Sequence, residues 1–594
     1  MCGIVGYIGE KQAQPILLSC LEKLEYRGYD SCGVAVAADG IKVFKDATRV
    51  KALGKSLPKF GGTSGIGHTR WATHGAPSQV NAHPHLDCSG KIAVVHNGVV
   101  RNYQKLKEQL ISEGHNFVSD TDTEVIPHLI EKHYSGNLEE ATEIALNEIE
   151  GSYAIIVLAA AGNELVIARK DSPLVVALGD RENFIASDVP AILDYTDRVI
   201  YLEDGDIGVV SQNGVRIKRN GIEARCEEHK VLWSMEDAQK SGYEHFMIKE
   251  IHEQPGVIRN TLGEFTRDSE GSVDLLEMKE RALESMLLVS CGTSYYASLI
   301  GKFIFEELLN ISARAEIASE FNYHNHILPG TTAIAITQSG ETADTLKAMK
   351  KLKETGCRVI AITNVVGSSV SRIANQTIYT RAGPEISVAA TKSFMAQLMV
   401  LYWLAMSYSK AETRKLASLL MEMRQLPSKV QQVLDDEAKI IDYAKSLAKY
   451  ENAFFIGRGI NMAVALEGAL KLKEISYLHA EGFAAGEIKH GPFALLGSNT
   501  PVIAIASQDN TYEAMLTSIK EIKARGAPVI AVAEEGDEDI VEVADSVISV
   551  PKVDTLFSPV VNIVALQLLA YYTARERGCS IDFPRNLAKS VTVE

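Results

Sequence analysis

Short apolar runs typical of β-strands recur over the first 220 residues, and segments of helical periodicity lie between them. The strand-like runs are Gly3–Ile8, Ile92–His96, Tyr153–Leu158, Leu165–Ala168 and Val199–Leu202. The segments with apolar residues at helical spacing are Leu17–Leu24, Tyr103–Ile111 and Val125–Tyr134. Helices that cover sheets are the natural packing for this mixture, so residues 1–220 are predicted to form one α+β domain.

The rest of the chain shows a different pattern, in which short apolar strands alternate with longer helices. This alternation is typical of parallel sheets in doubly wound α/β domains. Residues 221–245 are charged and poor in turns, which indicates a linker, with the main boundary near Gln239. Two α/β domains are predicted, over residues 246–425 and 426–584, followed by a tail over residues 585–594.

The two α/β domains carry a hidden repeat. The segment that begins at Ala335 matches the one that begins at Ala504, and in both copies the next strand starts 20 residues beyond a glutamine, Gln338 or Gln508. Matching segments also lie upstream and downstream, which indicates a duplication. Because only the first copy keeps serine and threonine in its polar turns, only that copy is expected to bind phosphate.

Composition narrows the function. The chain has 594 residues, 46% of them hydrophobic, and a formal net charge of -16, so it has no basic field that would attract nucleic acid or anionic lipid. The most apolar stretches, Val560–Ala574 and Met395–Tyr408, are shorter than a bilayer span and are predicted to be buried helices. No targeting segment is visible at the start, which predicts a cytoplasmic protein. Eight scattered cysteines without a C-x-x-C pair indicate neither a zinc site nor a disulfide scaffold, and no metal or cofactor is predicted.

Cys2 directly follows the initiator methionine, and removal of Met1 would leave a thiol and an α-amine on one residue. A thiol has a pKa of about 8.5 and an α-amine has a pKa of about 8. The amine can therefore help to generate a thiolate at neutral pH. In the absence of other motifs, a cysteine at position 2 more often has no catalytic role. Its significance therefore depends on the segments that accompany it.

Three segments supply what glutamine hydrolysis by such a thiol requires. They are His68–Gly75, Ala93–Gly98 and Ser119–Glu124. Arg70 suits the α-carboxylate of glutamine, Asp122 suits its α-ammonium group, and Asn97 with the Gly98 N–H suits a developing oxyanion. Each of these residues alone is more often a surface charge, a helix cap or a turn. Their combination with Cys2 favours a glutaminase.

These motifs, together with Cys2–Gly6 and Arg27–Ser31, resemble the glutamine amidotransferases with an N-terminal cysteine nucleophile. The resemblance covers the first 220 residues and implies a four-layer αββα fold. It also implies that Cys2 is the nucleophile, that Asn97 and Gly98 form the oxyanion hole, and that Trp71 is a gate for ammonia. The residues it implies for glutamine binding are Arg70, Trp71, Thr73, His74 and Asp122.

In the first α/β domain, two polar turns each follow a strand and precede a helix. They are Cys291–Ser294 and Thr337–Thr342. Backbone N–H groups at a helix start, aided by hydroxyl groups, bind a phosphate monoester without metal. Such residues also cap helices for structural reasons, but two such turns in one domain favour a ligand. No ATP-type or NAD-type glycine motif is present, so a sugar phosphate fits better than a nucleotide.

These turns and the segment Gly383–Lys392 resemble the sugar isomerase (SIS) domain. A tandem pair of SIS domains behind an amidotransferase domain is similar to the glucosamine 6-phosphate synthases. That resemblance implies L-glutamine and D-fructose 6-phosphate as substrates and a homodimer as the assembly. The residues it implies for sugar-phosphate binding are Cys291, Gly292, Thr293, Ser294, Thr337, Gln338, Ser339, Thr342, Val388 and Ala588.

Amino transfer onto a ketose also needs acid–base groups and an amine. On the helix predicted from Asn461 to His479, Glu467, Lys471 and Glu474 share one face. This spacing is also common in a solvated ladder, that is, a row of ion pairs along an exposed helix face. The resemblance implies that Glu474 moves the sugar proton, with Glu467 and Lys471 in support. It further implies that His490 opens the ring, in the neighbouring subunit's site.

The resemblance also implies that Lys589, in an irregular C-terminal tail over the sugar site, forms a Schiff base with C2. A tail lysine is usually only solvated, and imine chemistry requires a lowered lysine pKa.

Two other interpretations of the protein's function stay open. A phosphoribosyl amidotransferase would share Cys2 but needs an acidic diphosphate motif that is missing. A sugar-phosphate sensor would leave Cys2, Glu474 and Lys589 unexplained.

Overall fold

The computed structural model describes residues 2–72, 74–231, 240–266, 285–323, 331–409 and 412–592. The chain forms two compact units. The first consists of Met1–Ala238 together with Ala588–Glu594, and the second consists of Gln239–Leu587.

The first unit contains two antiparallel sheets. An eight-stranded sheet has the order β15-β11-β9-β10-β1-β4-β2-β3, and a seven-stranded sheet has the order β14-β13-β12-β8-β7-β6-β5. The strands are β1 (Gly3–Ile8), β2 (Ser31–Ala38), β3 (Gly40–Asp46), β4 (Ser64–Arg70), β5 (His85–Leu86), β6 (Ile92–Val100), β7 (Gly151–Ala159), β8 (Leu165–Lys170), β9 (Val175–Leu178), β10 (Asn183–Ala186), β11 (Arg198–Tyr201), β12 (Asp206–Ser211), β13 (Gly214–Arg219), β14 (Ile222–Glu223) and β15 (His229–Lys230).

The two sheets pack face to face, because alternate residues such as Ile4, Ile66, Val95 and Ile156 meet in one buried cluster. Helices cover both outer faces, α1 and α2 on the larger sheet and α3 to α5 on the smaller one. They are α1 (Ala13–Glu22), α2 (Val50–Ser56), α3 (Tyr103–Ser112), α4 (Val125–His133) and α5 (Leu138–Asn147), with a 3-10 turn at Val189–Ala191. The four-layer αββα arrangement confirms the predicted fold class.

The second unit contains two five-stranded parallel sheets, of order β17-β16-β18-β19-β20 and β22-β21-β23-β24-β25. In each sheet the strands follow the chain order 2-1-3-4-5, so the duplication inferred from the sequence is visible in the topology. The strands are β16 (Ser285–Ser290), β17 (Ser312–Ile317), β18 (Thr332–Thr337), β19 (Arg358–Thr363), β20 (Gln376–Tyr379), β21 (Asn452–Gly457), β22 (His479–Ala484), β23 (Val502–Ala506), β24 (Val529–Glu534) and β25 (Ser546–Val550).

Helices surround these two sheets, and several of the helices share one apolar cluster. They are α6 (Phe246–His252), α7 (Gln254–Thr266), α8 (Gly292–Leu309), α9 (Ala318–Phe321), α10 (Ala343–Glu354), α11 (Ser369–Ile373), α12 (Lys392–Tyr408), α13 (Thr413–Asp435), α14 (Glu437–Leu447), α15 (Ile460–Ser476), α16 (Tyr512–Lys523), α17 (Glu538–Val543) and α18 (Ser558–Glu576), with 3-10 turns at Glu487–His490, Pro492–Leu495 and Thr555–Phe557. Leu401 of α12, Leu472 of α15 and Leu566 of α18 are buried in that cluster, which therefore joins both sheets.

One helical stretch in the described residues, Thr555–Glu576, is long and apolar enough to cross a membrane. Of its most apolar window, 89% is buried inside the structure. The stretch therefore packs as a core helix, as predicted for Val560–Ala574.

One predicted domain boundary falls within a helix, and the predicted linker contains two short strands. Strands β14 and β15 lie within residues 221–245, and β15 pairs with β11 of the larger sheet. The boundary predicted at 425/426 falls inside α13. Sequence composition did not show these elements because the edge strands are only two residues long and α13 continues an amphipathic pattern across the boundary.

Candidate active sites

Cys2 lies directly before β1, which runs between β4 and β10. Gly3 pairs with Thr69 and Ile4 pairs with His68, so the register brings the end of β4 to the thiol. The backbone N–H of Trp71 donates to the Cys2 sulfur at 3.3 Å, and the cysteine is partly exposed. The thiol is thus held at the end of a central strand and is accessible.

Asn97 of β6 links the two sheets at this point. Its Nδ2 donates to the Cys2 carbonyl oxygen at 2.9 Å, and its Oδ1 lies 3.2 Å from His68 Nε2. His68 Nε2 is also 3.1 Å from the His96 carbonyl oxygen. Since both neighbours are acceptors, Nε2 must carry the proton and donate it. The ring therefore fixes the orientation of the Asn97 amide, with its NH₂ group toward Cys2.

His68 is completely buried, and this burial lowers its pKa to about 3. The imidazole stays neutral at physiological pH and serves as a fixed donor, not as a proton carrier. Arg27 has a related positioning role, because its Nε donates to the Cys2 carbonyl oxygen at 3.2 Å while its guanidinium group pairs with Asp188 at 2.9 Å. The sequence interpretation assigned roles to neither residue, although both lie in the motifs that carry the resemblance.

Gly98 follows Asn97 with a φ of 136°, in the region that favours glycine. A Cβ atom at this position would lie 2.1 Å from the Ser152 carbonyl oxygen of the paired strand. Glycine is therefore required here for the close approach of β6 to β7 beside Asn97.

Arg70, the last residue of β4, is 3% exposed. Its Nη2 donates to the carbonyl oxygens of His74 and Gly75, the latter at 2.9 Å. Its Nη1 is buried without a hydrogen-bond partner among the described residues. Burial lowers the pKa of Arg70, an effect opposed by Cys2 and by Asp122. A buried cation with one unused donor edge is suited to bind a carboxylate.

Asp122 is 5% exposed, and its Oδ2 accepts the Val100 N–H at 2.8 Å, which fixes the carboxylate beside the end of β6. The His74 ring packs edge-on against Tyr103, with centroids 5.7 Å apart. Trp71 is partly exposed beside Cys2. Thr73, which was also predicted to bind glutamine, lies outside the described residues. The structure thus brings Cys2, Arg70, Trp71, Asn97 and Asp122 to one end of the paired sheets.

In the second unit, the predicted phosphate turns lie at the topological switch point of the first parallel sheet. Strands β17 and β18 flank β16 on opposite sides, and Ser290 at the end of β16 is in register with Ile336 near the end of β18. Ligands of open α/β sheets bind at this place, outside the carboxyl ends of the strands. The turns Cys291–Ser294 and Thr337–Thr342 are therefore neighbours at the expected edge.

The first turn begins α8. Cys291 is its N-terminal cap residue, and the Cys291 side chain makes no capping hydrogen bond, which leaves the first N–H groups of the helix for an anion. Ser294 is 8% exposed and accepts a hydrogen bond from Gln397 Nε2 at 3.1 Å. Gly292, with a φ of 55°, makes the tight entry into the helix.

The second turn is organised by its own hydroxyl groups. Thr337 Oγ1 lies 2.9 Å from Thr342 Oγ1 and accepts the Gly340 N–H at 3.3 Å. The carbonyl oxygen of Gln338 accepts the Asn364 N–H at 3.1 Å, and Ser339 Oγ accepts the Glu341 N–H at 3.2 Å. Threonine at position 337 thus supplies a structural hydroxyl group.

The face of α15 predicted to be catalytic points at the first of these turns. Lys471 Nζ lies 2.6 Å from Glu474 Oε2 and 3.5 Å from Glu467 Oε1, and it donates to Thr293 Oγ1 at 3.0 Å. Glu467 and Lys471 are fully buried, whereas the Glu474 side chain is 21% exposed. A solvated ladder is excluded, because two of its three charged groups are inaccessible to water.

Protonation within this cluster follows from burial. Burial raises the pKa of Glu467 to about 8, and Glu474 adds to that rise while Lys471 opposes it. Burial alone would lower the pKa of Lys471, but the two carboxyl groups raise it above its ordinary value. The raised pKa values favour the charged form of Lys471 and the protonated form of Glu467, and the close ion pair is the one between Lys471 and Glu474.

The other residues predicted for the sugar site lie in separate segments of the chain. Val388 is buried, and its N–H donates to the Asp582 carbonyl oxygen at 3.0 Å. His490 is exposed on the 3-10 turn Glu487–His490. Ala588 and Lys589 lie in the irregular segment that belongs to the compact unit of Met1–Ala238, and both are partly exposed.

Family models match both parts of the chain. A glutamine amidotransferase domain model matches residues 68–194, and a SIS domain model matches residues 282–407 and 446–577. A solved structure, the C-terminal domain of glucosamine-fructose-6-phosphate aminotransferase from Francisella tularensis, superposes with a TM-score of 0.56 at 35% identity. That match covers 58% of this chain and 99% of the solved one.

Full-length relatives are also similar. A Methanosarcina acetivorans protein named glutamine–fructose-6-phosphate aminotransferase (isomerizing) is 51% identical, and the match covers 100% of both chains. A protein of the same name from Caldanaerobacter subterraneus is 50% identical, again over 100% of both chains.

Proposed function

The chain belongs to the family of the glutamine–fructose-6-phosphate aminotransferases (isomerizing), and from this premise we propose how its residues divide the reaction. The protein transfers ammonia from L-glutamine to D-fructose 6-phosphate and isomerises the product, which gives D-glucosamine 6-phosphate and L-glutamate. The carrying observation is the 51% identity to a relative of this name over the whole chain, which includes both candidate sites.

In the glutaminase half-reaction, Cys2 attacks the amide carbon of glutamine. Its own α-amine, freed by removal of Met1, takes the thiol proton. The Asn97 amide carries two N–H donors, and only one is engaged by the Cys2 carbonyl oxygen. The second donor, together with the Gly98 N–H, stabilises the oxyanion. The neutral His68 holds this amide in the required orientation.

Arg70 and Asp122 hold the substrate's α-carboxylate and α-ammonium groups. The support is the buried Arg70 Nη1 without a partner among the described residues, together with the fixed Asp122 carboxylate. Trp71, Thr73 and His74 complete the proposed glutamine site. The gating role of Trp71 stays a prediction.

Arg70→Lys is expected to raise the KM for glutamine about 10- to 100-fold, because a single ammonium group cannot both hold the His74 and Gly75 carbonyl oxygens and present the Nη1 donors to the substrate carboxylate. Glutamate release measured against glutamine concentration checks this. Arg198→Lys, at an exposed arginine paired with Glu228, is the matched control and should behave like the parent. An unchanged KM in Arg70→Lys would remove Arg70 from the substrate site.

In the sugar half-reaction, the turns Cys291–Ser294 and Thr337–Thr342 hold the phosphate group through backbone N–H groups and hydroxyl groups. The chemistry then needs three further groups. His490 opens the ring, Lys589 forms a Schiff base with C2, and Glu474 moves the proton from C1 to C2. Lys471 orients Glu474 through the 2.6 Å ion pair and links it to Thr293 in the phosphate turn.

Glu474→Gln is expected to lower the rate of glucosamine 6-phosphate formation by about 10²- to 10⁴-fold, because the amide cannot accept the C1 proton. Glutaminase activity should stay near the parent value. Glu467→Gln is the comparison variant, and since the raised pKa favours the protonated form of Glu467, its loss should be at most about tenfold. Equal losses in the two variants would show that the ion-pair cluster is only structural.

We further propose that the protein is a cytoplasmic homodimer without nucleic-acid or membrane partners. The exposure of His490 supports its use by a neighbouring subunit. The net charge of -16 opposes binding to phosphate backbones and anionic lipid.

A further inference from the structure

Four potential metal ligands converge at an edge of the first unit, and none of them was assigned a role above. They are Cys88, His115, His128 and Glu131, and one ligand atom of each lies within 4.8 Å of all the others. Cys88 lies in the turn between β5 and β6, His115 follows α3, and the other two are one turn apart on α4. Because three separate segments supply the ligands, the spacing of the cysteines alone could not reveal the cluster.

The separations of the ligand atoms fit one tetrahedral ion. Cys88 Sγ lies 3.6 Å from His115 Nδ1 and 3.5 Å from His128 Nδ1. Glu131 Oε2 lies 3.1 Å from His115 Nδ1 and 3.6 Å from His128 Nδ1. Zinc bonds are about 2.3 Å long to sulfur and about 2.0 to 2.1 Å long to nitrogen and oxygen. At tetrahedral angles, these bond lengths place a sulfur and a nitrogen ligand about 3.6 Å apart, and a nitrogen and an oxygen ligand about 3.3 Å apart.

Hydrogen bonds around the cluster orient its members. The Asn116 N–H donates to Cys88 Sγ at 3.4 Å, and the Cys88 N–H donates to Glu131 Oε2 at 3.1 Å. His128 is 1% exposed, and its Nε2 lies 3.8 Å from Glu124 Oε1, which is beyond hydrogen-bond distance. N–H donors to the ligand atoms are typical outer partners of metal sites.

We propose that Cys88, His115, His128 and Glu131 bind one zinc ion. The mixed sulfur, nitrogen and oxygen set matches the preference of Zn²⁺, whereas Ca²⁺ and Mg²⁺ take oxygen ligands. All four positions are filled by protein, which is typical of a structural site and not of a catalytic one.

Such an ion would tie the β5–β6 turn and the end of α3 to α4. Immediately before α4, the Glu124 carboxylate accepts the N–H groups of Val118 and Ser119 at 2.8 and 2.7 Å. The segment between His115 and His128 carries Asp122, the proposed partner of the glutamine ammonium group. The zinc ion would thus fix the loop that carries Asp122 without contacting the substrate.

The test measures zinc binding in a Cys2→Ala background, which removes the reactive thiol as a competing ligand. Chelator-treated protein is titrated with Zn²⁺, and bound metal is measured by mass spectrometry. One zinc per chain is expected, with affinity at least about 100-fold weaker after Cys88→Ser and unchanged after Cys226→Ser, a partly exposed cysteine of the same unit. Equal affinity in the Cys88 and Cys226 variants, or no stoichiometric binding, would overturn the proposal.

Cobalt substitution keeps the proposal testable if Cys88→Ser folds poorly with zinc. Co²⁺ added to the stripped protein should give a sulfur-to-metal charge-transfer band and the intense visible bands of a tetrahedral site. Both should persist in Cys226→Ser and should lack the sulfur band in Cys88→Ser. An octahedral cobalt spectrum in the parent would exclude this site. Zn²⁺ should also raise the unfolding temperature of the parent and not of Cys88→Ser.

Discussion

Cys2→Ala is expected to lower glutamate release by about 10⁴-fold or more, because the variant lacks the only group proposed to attack the amide. Synthesis of glucosamine 6-phosphate from glutamine should disappear with it. Synthesis from added ammonium salt should persist, since the phosphate turns and the Glu467–Lys471–Glu474 cluster belong to the other compact unit. Quantification of glutamate and amino sugar in parallel reactions checks both parts.

Cys226→Ala is the matched control for this variant, because it removes another partly exposed thiol from the same unit. It should keep both activities. Glutamate release by Cys2→Ala at a rate close to the parent's would contradict the nucleophile assignment. Loss of the ammonium-driven reaction would instead contradict the independence of the two half-reactions.

Lys589→Arg is expected to abolish amino sugar formation from both glutamine and ammonium salt, while glutaminase activity remains. Arginine keeps the positive charge but does not form a Schiff base, so the variant isolates imine chemistry from electrostatics. Borohydride treatment of the parent with fructose 6-phosphate should attach a reduced sugar at Lys589, detectable by peptide mass.

The control for this experiment is Lys552→Arg, at an exposed lysine of the other unit. It should leave synthesis and the borohydride adduct unchanged. An adduct that survives in Lys589→Arg, or that maps to Lys471, would transfer the covalent role to another lysine.

The parallel sheets were predictable because their buried strands are continuous apolar runs bounded by polar turns. The segments at Ala335 and Ala504 form β18 and β23, and the repeat spacing places β19 and β24 correctly. The antiparallel region was harder. Strand β4, which carries His68 and Arg70, contains Gly65 and Gly67 in place of an apolar alternation, so no local pattern marks it. Its identity as a strand depends on pairing with β1 and β2, which are distant in sequence.

The chemistry of the glutamine site was partly predictable from residue types alone. Residue types suggested Cys2, Arg70, Asn97 and Asp122, since each offers a group that glutamine hydrolysis needs. The positioning role of His68 could not be predicted, because it depends on burial and on which acceptors face Nε2. The burial of Lys471 and Glu467 was also not readable from their spacing, which an exposed ladder shares.

The central claim is that one chain couples glutamine hydrolysis to amino sugar synthesis. Product analysis of the purified protein with glutamine and fructose 6-phosphate tests it most directly. Equal amounts of glutamate and glucosamine 6-phosphate are expected, and both should depend on Cys2. Glutamate that accumulates without any amino sugar would contradict the account, because the glutaminase would then serve another acceptor.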